Sequence, residues 1–475
     1  MVVDPPSSRQ PDVVVVSNRG PLTFWPGPDG HPVVKRAAGG MVVALGPGVT
    51  HSGALWVAAA LSDSDREAAA NAPGGMIEAE GFRLRSITIE PGDFSAYYDV
   101  VANGTLWYLN HGLWDLPRRP RFDRHWHQAW TRYRTVNRQF ANAVADVAAD
   151  GATVVVQDYH LCLVAGMLAQ RRPDLRTATF IHTPWATPEE LSVLPDEVGA
   201  ELIATMVDGG PCGFHSRRWA TRYQACATEV VGRDADVFVA AAATDGEDLA
   251  RVATSEACEA ELAALEASLG GRHLIVRVDR IELSKNILRG LWAFDTMLES
   301  HPDLIDAVVF GVFVYPSRVG LADYQAYAQE ITTLVDYLNA KWSTATWTPI
   351  LIDTDDNHPR SVAALRRYDA LLVNPVRDGL NLVAVEGPLV NDRDGTVVLS
   401  RQAGSFDLLG AHVVGVNPFD VVATAEAMAT ALAVPAPERA SRARALRHAI
   451  AGATPRQWWE QMVSGAQALT GPDQP

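Results

Sequence analysis

The chain has only four cysteines in 475 residues, Cys162, Cys212, Cys226 and Cys258. Their spacing fits neither a metal knuckle nor a disulfide framework, so four reduced thiols in a cytoplasmic protein are expected. Long hydrophobic runs are also missing. No stretch reaches the roughly 18 apolar residues of a membrane span. The first twelve residues, which include Pro5-Pro6-Ser7-Ser8, lack a signal peptide's apolar stretch. Positive charge is scarce: 40 Lys and Arg stand against 56 Asp and Glu, a net of −16. That argues against nucleic-acid or anionic-membrane partners. It leaves room for a few cations focused on an anionic substrate. No fixed-period repeat, coiled coil or long low-complexity segment is present.

What is present is an alternation of strand and helix. Val13–Val16, Thr153–Val156 and Thr177–Ile181 read as strands in the first half. Leu274–Val278, Ala307–Val314, Pro349–Ile352, Ala370–Val373, Thr396–Leu399 and His412–Val416 read as strands in the second. Helical stretches lie between most of them. This order predicts an α/β protein with parallel sheets covered by helices. The length fits two or three domains. The boundary is expected between about Ala240 and Gly271, where an Ala-rich acidic helix, Glu256 to Leu269, separates two strand-rich halves.

Two segments carry chemistry. The first runs Asn374-Pro375-Val376-Arg377-Asp378-Gly379-Leu380-Asn381-Leu382-Val383-Ala384-Val385-Glu386, after the apolar run Ala370-Leu371-Leu372-Val373. It reads as a strand, a turn at Asp378-Gly379 and a helix N-terminus whose amides suit a phosphate. Glu386 is expected about two turns into that helix. The bland alternative is an ordinary strand-to-helix turn. The second segment, His273 to Asn286, is again a strand running into a loop, with Arg280 and Lys285 on the loop and a helix from about Ile287. Two cations beside an apolar strand end are costly unless an anion meets them. A diphosphate would do so, with Arg binding bidentately and Lys as a point charge. Together the segments point to a nucleotide-diphosphate site.

With these residues in view, the chain resembles the retaining glucosyltransferases of the trehalose-6-phosphate synthase family, from about Val13 to its end. The resemblance rests on eight motifs in the family's order. These are Val15-Val16-Ser17-Asn18-Arg19, Ala38-Gly39-Gly40, Tyr97-Tyr98 with Leu106-Trp107, Gln157-Asp158-Tyr159-His160-Leu161, Ile181-His182-Thr183-Pro184, Arg280 with Lys285, Pro316-Ser317-Arg318, and Asp378 to Glu386. It implies a GT-B fold, two facing Rossmann-like domains with an interdomain cleft. Residues 1–245 would form the acceptor-binding domain and 246–454 the nucleotide-sugar domain. A C-terminal helix, about 455–475, would cross back to the first domain, with Trp458-Trp459 as packing anchors.

The same resemblance assigns Arg19, Tyr98, Trp107, Asp158 and Arg318 to the acceptor. Arg19, Tyr98 and Arg318 would clamp its phosphate. Gly39, Gly40, Arg280, Lys285, Asp378, Gly379, Leu380, Asn381, Leu382, Val383 and Glu386 would hold the donor, with Glu386 on the ribose. The segment Thr23 to Gly30 could be a lid or an ordinary hairpin. Asp158, His182, Arg280, Lys285 and Asp378 would serve catalysis. No pair of carboxylates suits a hydrolase. In such enzymes the departing diphosphate takes the proton of the incoming hydroxyl, with no metal and no cofactor.

The expected reaction is glucose transfer from UDP- or GDP-glucose to glucose 6-phosphate, giving α,α-trehalose 6-phosphate. The substrates would be the only partners required, and the sequence leaves homo-oligomer formation open. Several positions depart from the family pattern. Glu282-Leu283-Ser284-Lys285-Asn286 stands where Asp-Tyr-Ser/Thr-Lys-Gly is usual. Gln157 replaces a His and Val385 a Lys, and His182-Thr183-Pro184-Trp185-Ala186 replaces His-Ile-Pro-Phe-Pro. Alternatives are a pseudo-glycosyltransferase coupling a nucleotide-cyclitol to an amino-cyclitol phosphate, or an inactive regulatory homologue.

Overall fold

The computed structural model describes residues 10–27, 32–37 and 40–467. The chain divides into two compact units. One takes the chain up to Ala242 together with the segment from Pro455. The other is Ala243–Thr454.

The first unit has strands β1 (Val13–Arg19), β2 (Leu22–Pro26), β3 (Pro32–Arg36), β4 (Leu55–Ala59), β5 (Met76–Ala79), β6 (Phe82–Ile87), β7 (Thr153–Gln157), β8 (Arg176–Ile181), β9 (Cys212–Phe214) and β10 (Val237–Val239). Eight of them form one sheet in the order β10-β9-β8-β7-β1-β4-β6-β5. All its pairings are parallel except β5 with β6. The run Val13 to Val16 suits the centre of such a sheet, where helices cover both faces and β-branched residues pack on each. Val14, Val15 and Val16 are fully buried.

Strands β2 and β3 form a separate antiparallel hairpin, with Leu22 opposite Arg36 and Phe24 opposite Val34. The Phe24 amide donates to Asp65 at 3.0 Å, which pins the hairpin to the helix Asp63–Asn71. Thr23 to Pro26 thus belong to a paired hairpin arm, while residues 28–31 lie outside the described residues.

The second unit has β11 (His273–Arg280), β12 (Val308–Tyr315), β13 (Ile350–Asp353), β14 (Ala370–Val373), β15 (Thr396–Ser400) and β16 (Val414–Val416). They make a fully parallel sheet in the order β13-β12-β11-β14-β15-β16. The order reverses direction around β11 and β14, a switch point of the kind where ligands sit in doubly wound folds. Its core gathers Ile275, Phe310, Leu371 and Val398 from the strands with Phe294 and Met297 from the helix Ile287–Ser300.

The helix Glu256–Leu269 belongs to the second unit: Arg360 and Arg366 pair with its Glu261 and Glu259 at 2.9 and 2.7 Å, and its Cys258 is fully buried. One expectation needs correcting. The helix after β14 begins only at Val383, so Glu386 lies in its first turn. Asn381, at φ +73°, breaks the helical path before it. The four cysteines are buried and unpaired. No helix among the described residues is long and apolar enough to cross a membrane.

The last described helix, Pro455–Gln467, packs on the first unit. Trp458 and Trp459 are 1% and 3% exposed, and the Trp458 Nε1 donates to the Ala240 carbonyl at 3.0 Å. Gly48, in the helix Gly40–Ser52, lets Trp459 approach: a Cβ there would stand 2.4 Å from the indole. Gly48→Ala should therefore destabilise the protein by about 1–3 kcal/mol through overpacking. Gly92, which has open space around its Cβ position, serves as control. A thermal melt in which Gly48→Ala unfolds no earlier than Gly92→Ala would refute this close packing.

Candidate active site

In the second unit the strand ends carry the charged residues. Arg277, in the middle of β11, is completely buried. Its guanidinium donates to Asp279 at 2.8 Å and to the Lys285 carbonyl at 2.8 Å. An internal cation thus braces the loop that presents Lys285. Asn286 then adopts φ +61°, a left-handed conformation that Asn tolerates better than most residues. Its side-chain amide donates to the carbonyls of Asn374 and Pro418 at 2.9 and 2.7 Å, tying three loops together.

Glu282 is the hub of this loop and is fully buried. Its Oε1 pairs with Arg280 at 3.1 Å and Arg318 at 2.8 Å, and accepts from the Ser317 hydroxyl at 3.0 Å. Burial alone would push this carboxyl up. The surrounding cations Arg280, Arg318 and Lys285 overcome that and hold it at about 2. Arg318 has φ +46° and also donates to the Tyr324 hydroxyl at 3.0 Å. It belongs to the second unit, whereas Arg19 and Tyr98 belong to the first.

Lys285 and Asp378 meet at 2.7 Å, so the two strongest candidates from separate motifs are direct partners. Burial disfavours the Lys285 charge, but Asp378 and the nearby Asp279 and Glu282 hold its pKa above the ordinary value. The Asp378 loop is zipped to the loop after β15. The Asp378 amide donates to the Gln402 carbonyl at 3.1 Å, and the amides of Gly404 and Ser405 donate to the carbonyls of Asp378 and Leu380 at 3.0 and 2.9 Å. Asn381 donates to Asp378 at 3.2 Å and accepts from the Ala384 amide at 3.3 Å. The amides of Leu380, Asn381, Leu382 and Val383 have no acceptor among the described residues. Four free N–H groups at a helix start form an anion cradle. Glu386, just beyond it, has its carboxyl pushed up to about 7 by burial.

The first unit carries the other motifs. Arg19 ends β1 and is exposed, beyond a register shift between Ser17 and Arg19. Tyr98 lies in the irregular helical segment Ala96–Leu106 and stacks on His160 with ring centroids 5.6 Å apart. Asp158 and His182 follow the neighbouring parallel strands β7 and β8, which brings them together. The Asp158 carboxylate accepts the His182 amide at 3.1 Å, and Asp158 holds φ +73°. Burial lowers the His182 pKa, with Asp158 opposing in part, so the ring is neutral near pH 7.

Trp107 is 7% exposed, with its ring against His111 at 3.9 Å and Tyr159 at 5.7 Å. Gly40 opens the helix Gly40–Ser52, and Gly39 and Ala38 lie outside the described residues.

Sequence reasoning passed over Arg277, Glu282 and His215 as site components. Glu282 was visible only as a departure from a motif. A charged residue inside an apolar strand was the available signal for Arg277. Nothing in the sequence marked His215.

The model of glycosyltransferase family 20 matches residues 11–468. A trehalose-6-phosphate synthase of Mycolicibacterium smegmatis is 31% identical over 487 residues, covering 97% of this chain and 93% of the relative. A validamine 7-phosphate valienyltransferase of Streptomyces hygroscopicus subsp. jinggangensis is 29% identical, covering 96% and 94%. Among solved structures, a trehalose-6-phosphate protein of E. coli bound with UDP-2-fluoro glucose superposes with a TM-score of 0.84 at 25% identity, covering 96% of this chain and 99% of that one. The parallel sheets and these neighbours give the GT-B fold. With a family model spanning nearly its whole length, the chain belongs to glycosyltransferase family 20 and is a glycosyltransferase enzyme.

Proposed function

We propose that this enzyme transfers glucose, with retention, from a nucleotide-glucose to glucose 6-phosphate, forming α,α-trehalose 6-phosphate. The observation that carries the reading is the pairing of cations with free amides in the second unit: Arg280 and Lys285 at the end of β11, and four unengaged N–H groups from Leu380 to Val383 after β14. A departing nucleoside diphosphate needs such groups, because negative charge grows on it as the glycosidic bond breaks. In this reading Lys285 moves from Asp378 to the diphosphate, and the released carboxylate accepts hydroxyls of the donor sugar. Glu386 accepts from the ribose. Asp158 and the His182 loop hold the sugars, and Arg19, with Tyr98 and Arg318, meets the acceptor phosphate. The acceptor hydroxyl attacks the anomeric carbon on the face the diphosphate leaves, and its proton passes to a diphosphate oxygen. The protein's work is positioning and charge stabilisation.

A second reading is favoured by the valienyltransferase relative and by the altered residues after His182. It couples a nucleotide-cyclitol to an amino-cyclitol phosphate with the same diphosphate site. The two separate in one assay. Diphosphate release from UDP-glucose and GDP-glucose is followed with and without glucose 6-phosphate. The proposed synthase releases diphosphate only with the acceptor, and its faster donor names the base. Nucleotide binding without release from either donor would overturn it in favour of the cyclitol reading or of an inactive regulatory homologue.

Two further outcomes follow. Lys285→Ala and Arg280→Ala should each lower kcat/KM by about 2–4 kcal/mol in transition-state terms; wild-type rates would remove the residue from the donor site. Glu386 gives a pH dependence. Its folded pKa is raised, so the native state binds a proton more tightly than the unfolded state, and stability falls as pH rises from about 4.5 through about 7. Ribose hydroxyls need the ionised form as acceptor, so nucleotide affinity should rise between about pH 6 and about pH 8. Calorimetric titration of the nucleoside diphosphate reads this rise, and Glu386→Gln should flatten it. An equal rise in that variant would assign the effect to another group.

A further inference from the structure

We propose that His215 is a positioning residue: it fixes the tautomer and ring plane of His182, and anchors them to the segment by which the chain leaves the first unit. The inference rests on the proposed role of His182 beside the sugars, but its structural content stands apart from that role.

The proton directions follow from one backbone amide. Ala242 N–H donates to His215 Nδ1 at 3.2 Å. An amide can only donate, so Nδ1 accepts and a neutral His215 carries its proton on Nε2. That nitrogen lies 3.2 Å from His182 Nδ1, which must therefore accept. His182 in turn carries its proton on Nε2 and donates to Gln157 Oε1 at 2.9 Å. Each step leaves one assignment, and the last fixes the orientation of the Gln157 amide as well. Its Nε2 is then a fully buried donor without an acceptor. A buried unpaired N–H is unfavourable.

The rings are also held in place. His215 stacks on Trp458 with centroids 6.0 Å apart and planes 28° from parallel. Phe180 presents edges to His182 and His215 at 5.1 and 5.0 Å. Trp458 fastens to the Ala240 carbonyl, and Ala242 supplies the amide that starts the chain of bonds. Ala240 to Ala242 close the first part of this unit, and Trp458 lies where the chain has returned to it. The relay is therefore built at the point where the chain exits and re-enters the unit. Asp158 is the charged group facing His182, through the backbone amide.

The test compares two variants. In His215→Gln, the side-chain oxygen can accept from Ala242 and the nitrogen can donate to His182 Nδ1, so both directions survive. In His215→Phe, the ring packs but transmits nothing. Ring-nitrogen NMR of histidine-labelled protein should find His182 protonated on Nε2 in wild type and His215→Gln. In His215→Phe that tautomer should be lost or mixed. The Phe variant should lose roughly tenfold or more in kcat, while the Gln variant stays within a few-fold of wild type. Nucleotide binding in the second unit reports whether each variant is folded. The Nε2-H tautomer persisting in the Phe variant, or equal loss of it in both variants, would overturn the proposal. Absence of turnover with every donor tried would count against the proposed reaction and leave the NMR result to decide the relay.

Discussion

Three cations crowd one loop cluster in the second unit, and keeping them there is the constraint on which its candidate site depends. Arg280, Lys285 and Arg318 repel one another, and burial would strip their hydration. Two carboxylates offset this in different ways. Glu282 is wholly buried and bound to both arginines, with a serine hydroxyl on the same oxygen. It is a permanent counter-charge, because exposing it would require the loop to unfold. Asp378 is partly open to solvent, with 16% of its side chain exposed, and it pairs with Lys285. That pair is exchangeable. In the proposed reaction a diphosphate takes Lys285 over, so that one carboxylate keeps the site assembled and the other gives way.

The permanence of Glu282 explains why the departures from the family motif leave the loop intact. A Glu where Asp is usual adds one methylene, and the extra reach brings its carboxylate to Arg280 and Arg318 together. Asn where Gly is usual must enter the left-handed region at φ +61°, which is one of the few substitutions that region accepts. Its side chain then gains two carbonyl acceptors on neighbouring loops, which a glycine could not reach. Both changes exchange a small residue for a larger one that makes bonds of its own.

The parallel sheets were legible because central strands of such sheets are apolar on both faces. Val13 to Val16, Ala370 to Val373 and Thr396 to Leu399 announce themselves. The strand-end residues Arg280, Lys285 and Asp378 followed from the same logic, while Asp158 and His182 were marked by the family resemblance. Short strands were missed: Cys212–Phe214 and Val237–Val239 have three residues each, too few to show a pattern. The position of Glu386 was misjudged because Asn381 takes a left-handed turn that no apolar periodicity reveals. His215 was illegible in principle. Its meaning lies in a bond to an amide 27 residues away and a stack on a tryptophan that returns from the chain's far end.

The two units manage protons and charge in opposite ways, and the proposed chemistry asks for that contrast. Where a diphosphate departs, fixed positive charge lowers the barrier, and a group that could lose its proton near neutral pH would weaken the effect. Arginine and a carboxylate-paired lysine meet this need. Where two sugars must meet, a full charge beside the developing oxocarbenium-like carbon would bias the reaction toward a different attacking group. A neutral histidine avoids this while still orienting its neighbours. Burial alone makes His182 neutral but leaves its tautomer undecided. The amide of Ala242, acting through His215, decides it. A backbone N–H is the one donor that no pH change or rotamer can reverse, which makes it a sound origin for a chain of hydrogen bonds that must always point the same way.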